Sequence, residues 1–177
     1  ILTNVVLLFL RNRNEYYKFK FIQELYRATN RVGRNIKTRS YHAEVINLSL
    51  KDKKMIKKFP VLKCQSRFFG LCKIYTISIP EKDIEDEVKA FQKNMSTALK
   101  KEWYITFHTS ENAIVVFREK IFVMSCKGIV PVYKKRIDTS HAKDKQRWDD
   151  MIQYAKSLGV PDEQCDFLPE DFTKQEY

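Results

Sequence analysis

Glycine is scarce in this sequence, with 4 residues in 177, and proline is hardly more frequent, with 5. So few glycines disfavour a glycine-rich phosphate loop, a β-propeller or a collagen-like repeat. The patterns GxxxxGK[ST], GxGxxG, HExxH and GxSxG are all missing. Nucleotide hydrolysis and dinucleotide-dependent redox chemistry are therefore not expected, and the sequence predicts no cofactor.

Cysteine is also sparse: Cys64, Cys72, Cys126 and Cys165 are spread over a hundred residues with no CxxC pair. Small secreted scaffolds use cysteine more densely, and a structural zinc site needs closely spaced pairs of ligands. We therefore expect reduced, mostly buried thiols in an intracellular, cytoplasmic protein without a metal site. Two disulfides, in any of three pairings, stay open as the alternative.

Long hydrophobic runs are missing too. The most apolar stretch, residues 1–10, would span only ~15 Å as a helix, about half of a bilayer core. Arg11 and Arg13 follow this stretch instead of preceding it, which is the wrong order for a signal peptide. We expect a buried strand or helix end here. If apolar residues precede Ile1, the same stretch would be the cytoplasmic end of a membrane anchor.

Positive charge is what the sequence does have, and it is concentrated in the first part of the chain. Residues 1–70 hold 16 Lys+Arg against 4 acids, whereas residues 71–177 hold 17 against 18. The tail 160–177 reverses the sign, with six acids against Lys174 alone. Like charges at this density are best tolerated where an anionic partner screens them, such as nucleic-acid phosphates or anionic lipids.

Two basic runs supply the predicted contact residues. A short helix over residues 52–58 would place four lysines on one arc, opposite Met55 and Ile56. We expect Phe68 and Phe69 to be buried beneath the sheet, with stacking of one of them on a base as the alternative. The residues predicted to bind nucleic acid are Arg31, Arg34, Lys37, Arg39, Lys51, Lys53, Lys54, Lys57, Lys58, Lys63 and Arg67.

Hydrophobic periodicity predicts the fold. Strands are expected at residues 40–50 and 71–79 and in a meander of four strands at 103–107, 113–117, 121–125 and 129–133. Amphipathic helices are expected at about 83–101, with Leu99 on the inward stripe, and at about 144–158. This pattern predicts an α+β fold with a largely antiparallel sheet of about five to six strands, packed by two long amphipathic helices. Residues 1–35 are predicted to form a basic appendage, helical or strand. Residues 36–177 are predicted to form a compact domain with an acidic tail, 160–177.

Two histidines are candidates for catalysis. His108 leaves a predicted strand as His-Thr-Ser, and His42 begins another as His-Ala-Glu. Histidines on facing strands can serve as acid and base in phosphodiester cleavage. Glu44 counts against this chemistry, since an acid stands where a hydroxyl should donate to phosphate.

The sequence thus predicts a non-catalytic binding protein whose basic N-terminal half contacts an anionic polymer, RNA or DNA being preferred, through its phosphates. The acidic tail 160–177 would fold over the basic face or contact a basic partner. One alternative is a protein-interaction or membrane-tethered module that docks through residues 1–10. Another is a small phosphodiesterase or nuclease that uses His42 and His108.

Overall fold

A computed structural model of the chain describes residues 39–132, 136–165 and 167. These residues belong to the second of the two units into which the chain divides, Arg39–Tyr177. The predicted appendage 1–35, its boundary with the compact domain and most of the acidic tail lie outside the described residues. Those three predictions therefore stay predictions.

The described part of the chain is built on a six-stranded antiparallel sheet with the order β2-β3-β1-β4-β5-β6. The α+β class and the largely antiparallel sheet are thereby confirmed. The strands are β1 Ser40–Ile46, β2 Val61–Arg67, β3 Cys72–Pro80, β4 Tyr104–His108, β5 Asn112–Phe117 and β6 Ile121–Ser125. A separate two-stranded sheet pairs β7 Val130–Val132 with β8 Arg136–Asp138.

The membership of the sheet differs from the prediction at two places. β2 was not predicted, because its exposed residues lack the apolar alternation that marks a half-buried strand. The predicted last strand of the meander, 129–133, does not continue the sheet. Its residues pair with β8 instead, which leaves β6 as the second edge strand.

Two α-helices are present among the described residues, α1 Ile84–Asn94 and α2 Lys145–Ser157. With 11 and 13 residues they have ordinary lengths, so the prediction of two long helices was wrong. The first helix stops early because Met95 turns into extended backbone and forms an isolated bridge with Leu50. Leu99, expected on the inward stripe of that helix, is 65% exposed.

The two helices cover the sheet from different sides and produce two hydrophobic cores. In β1, Tyr41, Ala43 and Val45 are buried in the core that contains Phe91 of α1. The other core gathers around Trp148 of α2 and includes residues of β5 and β6. His42 and Glu44 alternate with the buried residues of β1 and so lie on the sheet face opposite the first core. This alternation positions the polar groups considered next.

Candidate nucleic-acid interface and histidine pocket

The predicted basic helix is present as a 3₁₀ helix, Lys53–Lys58. Asp52 caps it by accepting a hydrogen bond from the backbone nitrogen of Lys54 at 2.9 Å. Met55 and Ile56 are buried in the core, with 6% and 3% exposure. The four lysines at the remaining positions are therefore held outward, as the sequence predicted: Lys53, Lys54, Lys57 and Lys58.

Asn94, the last residue of α1, fastens this 3₁₀ helix to the domain. Its side-chain Nδ2 donates to the Asp52 carbonyl at 2.8 Å, and its Oδ1 accepts from the Asp52 backbone nitrogen at 2.9 Å. Lys51 adds a contact from Nζ to the Lys93 carbonyl at 3.3 Å. The negative end of the α1 dipole favours that cation. These hydrogen bonds attach the start of the 3₁₀ helix, and with it the four lysines, to the end of α1.

β2 follows the lysine helix and forms an open edge of the sheet. A bulge between Val61 and Lys63 interrupts its pairing with β3, and Lys63 then lies opposite Thr76 and Arg67 opposite Cys72. Five of the seven β2 residues are exposed, including Lys63 and Arg67. We call residues 53–80, which comprise the lysine helix, β2, the connecting turn and β3, the basic edge.

The basic edge contains no carboxylate at all. Its seven cations are Lys53, Lys54, Lys57, Lys58, Lys63, Arg67 and Lys73. Among the described residues, none of these seven side chains pairs with an acid. Several cations elsewhere in the domain do pair with acids: Lys100 contacts Glu102 at 3.5 Å and Lys156 contacts Asp162 at 2.9 Å. The basic edge is therefore a surface whose charge the described part of the protein leaves uncompensated.

The turn between β2 and β3 presents three apolar side chains to solvent. Phe68, Phe69 and Leu71 are 77%, 109% and 74% exposed. The expectation that both phenylalanines are buried was therefore wrong. Both residues lie in the tight connection after the last pair of β2 and β3, Arg67 and Cys72, where Phe68 and Phe69 adopt left-handed backbone with φ values of 50° and 55°. We call residues 68–71 the aromatic tip.

The conformation of the aromatic tip costs free energy. A left-handed conformation costs roughly 1–2 kcal/mol for each residue that carries a Cβ. The tip is held from inside the domain, because Asn47 at the end of β1 donates to the Leu71 carbonyl at 3.2 Å. The Asn47 Oδ1 also accepts from the Lys73 backbone nitrogen at 2.8 Å. Sequence reasoning missed this anchor, because Asn47 lies 24 residues before Leu71 and no spacing pattern links the two.

The remaining predicted contact residues are Arg31, Arg34, Lys37 and Arg39. Arg31, Arg34 and Lys37 lie outside the described residues. Arg39 lies just before β1, where its guanidinium contacts the Glu111 carboxylate at 3.4 Å. There it lines a pocket of ≈ 190 Å³ that also contains His42 and His108.

The two candidate histidines face each other across neighbouring strands. His42 of β1 is directly opposite His108 of β4, with ring centroids 6.0 Å apart and ring planes perpendicular. Burial, followed by the charge of His42, lowers the pKa of His108 from about 6.5 to about 4. Burial also lowers the pKa of His42. At neutral pH the lowered pKa values favour the uncharged rings, so the pocket has little positive charge from histidine to attract a phosphate.

Glu44 reinforces that conclusion. It lies two residues beyond His42 on the same face of β1, opposite Thr76 and Thr106 of the neighbouring strands. A carboxylate on this face repels a phosphate, as the sequence suggested. The fold therefore brings the two histidines together, but their uncharged rings and the nearby Glu44 carboxylate do not favour phosphate in this pocket. The uncompensated cations of the basic edge favour it more.

The acidic tail is described only at its start. Cys165 and Phe167 are 5% and 2% exposed and pack into the core around Trp148, so the tail begins docked. Asp162, its first acid, contacts Lys156 of α2. Glu163 is exposed beside it, and the last four acids of the tail lie outside the described residues, so the proposed contact with the basic face stays a prediction.

Two general findings complete the picture. Within the described residues, no helix combines the length and the apolar character needed to cross a membrane, and no group of three or more potential metal ligands occurs. Comparison of the whole chain with protein-family models, with curated proteins and with solved structures gave no match.

Proposed function

We propose that this protein binds RNA or DNA through its phosphates, using the basic edge as the contact surface. The observation that carries the proposal is the set of seven cations in residues 53–80 with no carboxylate among them. Lysine and arginine contacts to phosphate release counterions and need no base sequence. Four of the cations stand on the rigid 3₁₀ helix and two on the exposed strand β2, so they form an extended array.

The alternative is that these lysines bind no partner and, as solvent-exposed charges, only keep the edge strand from pairing with another chain. The array extends beyond what that role needs, because the 3₁₀ helix lies before β2 and carries four of the seven cations. A polyanion that lies along the basic edge would contact cations over the full length of this edge. We therefore favour binding over protection of the edge.

The test compares three proteins in polynucleotide binding at several salt concentrations. The first is the intact chain, and the second carries Lys→Glu at Lys53, Lys54, Lys57 and Lys58. The matched control carries Lys→Glu at four exposed lysines of other elements: Lys82, Lys89, Lys101 and Lys127. Both variants have the same net charge, so a difference between them reports the position of the charge.

The intact protein should lose affinity as salt rises, with log affinity falling by about 0.7–0.9 per log unit of salt for each phosphate contacted. The basic-edge variant should bind far more weakly and with a shallower salt dependence. The control should bind much more like the intact chain. Equal losses in the two variants, or no binding at low salt, would contradict the proposal.

A second candidate function is phosphodiester cleavage, which is favoured by the direct opposition of His42 and His108 across β1 and β4. If the chain cleaves RNA, replacing either histidine by Ala should abolish the cleavage. Undiminished cleavage by the double variant would exclude this function. The alternative that the chain docks through residues 1–10 concerns residues outside the described part and stays a prediction.

A further inference from the structure

We infer that the basic edge selects single-stranded nucleic acid, because the rings of Phe68 and Phe69 stack on unpaired bases. This inference rests on the proposed function and adds the class of partner. Bases of a single strand expose their faces, and stacking on an aromatic side chain needs no particular sequence. Bases of a duplex are already stacked on each other, so the same rings have nothing to contact there.

The first observation is the display of the two rings. Phe68 and Phe69 are 77% and 109% exposed, whereas the other aromatic side chains in the described part of the chain are buried in the two cores or partly buried against them. The turn that displays them uses left-handed backbone at both residues, which bulky side chains seldom adopt. Such conformations persist where the surrounding structure imposes them, and they are concentrated at binding sites. Here Asn47, the residue directly after β1, holds the end of the turn by donating to the Leu71 carbonyl.

The second observation is the position of the cations relative to the rings. β2 has seven residues and therefore spans ~23 Å between the lysine helix and the aromatic tip. Lys63 and Arg67 lie along this path, and Arg67 immediately precedes Phe68. A single-stranded nucleic acid whose phosphates lie along β2 would bring some of its bases to Phe68 and Phe69 at the end of β2. The length suits a strand of a few nucleotides, in the range of small single-strand binding surfaces.

The same spacing disfavours an anionic membrane as the partner. If the aromatic tip entered a bilayer, the four lysines of the 3₁₀ helix would stand ~23 Å behind it. This separation is well beyond the Debye length of about 8 Å at physiological ionic strength. Those lysines would then contribute little to headgroup binding, whereas a polynucleotide along β2 uses all of them.

The test measures the binding of a labelled oligothymidylate and of a DNA duplex of equal length to the intact chain and to two tip variants. The first variant is the double substitution Phe68→Ala and Phe69→Ala. The matched control is Leu71→Ala, which removes an exposed apolar side chain of the same turn but no ring. Thermal unfolding of each variant verifies its fold. Because the three side chains are exposed, their substitution leaves both cores intact.

The phenylalanine variant should lose about 10-fold in affinity for the single strand for each ring that stacks, with the salt slope unchanged. Its affinity for the duplex, and the single-strand affinity of the Leu71→Ala variant, should stay within about 2-fold. Substitution of both phenylalanines by Trp should restore single-strand binding, because the larger ring also stacks.

Each contrary result is distinguishable. Unchanged single-strand binding in the phenylalanine variant would overturn the stacking inference, while loss of binding in the basic-edge variant would still support the proposed function. No binding of either nucleic acid by the intact chain would overturn both. Binding to phosphatidylserine vesicles that is lost equally in the phenylalanine and Leu71→Ala variants, without a single-strand effect, would assign the tip to a membrane instead.

Discussion

His108 shows how strongly its surroundings change one residue. Only 2% of it is exposed, and its pKa lies at about 4 in the folded protein. An unfolded chain has the ordinary value of about 6.5 and so binds more protons between pH 6.5 and pH 4. Stability contributed by the neutral His108 is therefore present above pH 6.5 and is lost as the pH falls through this window.

We expect the free energy of unfolding to fall by about 2 kcal/mol between pH 7.5 and pH 5 through His108, with His42 acting in the same direction. Urea unfolding at both pH values measures this loss. His108→Gln should flatten the dependence, and the exposed His141→Gln should preserve it. An equal pH dependence in the His108→Gln variant would show that other groups carry the effect.

Gly128 tests the packing of the turn after β6. A Cβ at this position would clash with the backbone carbonyl oxygen of His141, and the φ of 82° adds conformational strain. Gly159, after α2, has a similar φ of 95° but open space around it. Gly128→Ala should therefore lower the free energy of unfolding by at least ~1–2 kcal/mol more than Gly159→Ala. Equal losses in denaturant melts would contradict the close approach.

At the scale of elements, the sequence predicted best those segments whose burial leaves a periodic pattern. β1, β3 and β5 were placed within a few residues for this reason. β2 was missed because an edge strand obtains its conformation from pairing with β3 and needs no apolar alternation. The extension of α1 was wrong because residues 95–99 keep helical spacing, while the bridge between Leu50 and Met95 imposes extended backbone.

The candidate site was predictable in charge but not in shape. Lysines opposite Met55 and Ile56 follow from helical spacing alone, and the 3₁₀ helix confirms them. The exposure of Phe68 and Phe69 did not follow, because hydrophobicity favours burial and the left-handed backbone of the turn is not visible in the sequence. Asn47 and Asn94 act through hydrogen bonds to distant backbone, which sequence spacing does not reveal.

The reactivity of the four cysteines measures the exposure of the elements that carry them. The four cysteines are thiols that form no disulfide with one another, with Cys64 exposed on β2 and Cys126 and Cys165 buried. Burial raises the pKa of the Cys126 thiol to about 12, so it has almost no thiolate at neutral pH. Maleimide should therefore label Cys64 first and Cys126 only after unfolding. Bound polynucleotide should slow labelling of Cys64, and rapid labelling of Cys126 in the folded protein would contradict the packing around α2.

At the scale of the molecule, the domain separates its charges by position. All charged residues within 53–80 are cations. Acidic residues follow immediately afterwards at Glu81, Asp83, Glu85, Asp86 and Glu87. The last three stand in the first turn of α1, where the helix dipole favours them. The acids therefore have a local role in α1, and the array of cations on the neighbouring edge stays available to a polyanion.

The position of β5 between the two cores determines how the domain opens to solvent. Ile114 and Val116 belong to the core beneath α1, whereas Ala113, Val115 and Phe117 belong to the core beneath α2. Water therefore reaches this strand only when both layers separate, which is close to global unfolding. In a deuterium-uptake experiment, the amides of β5 should exchange last among the described strands, and those of β2 first. The ratio of the two exchange rates measures how much less free energy is needed to open the basic edge than to open the centre of the domain.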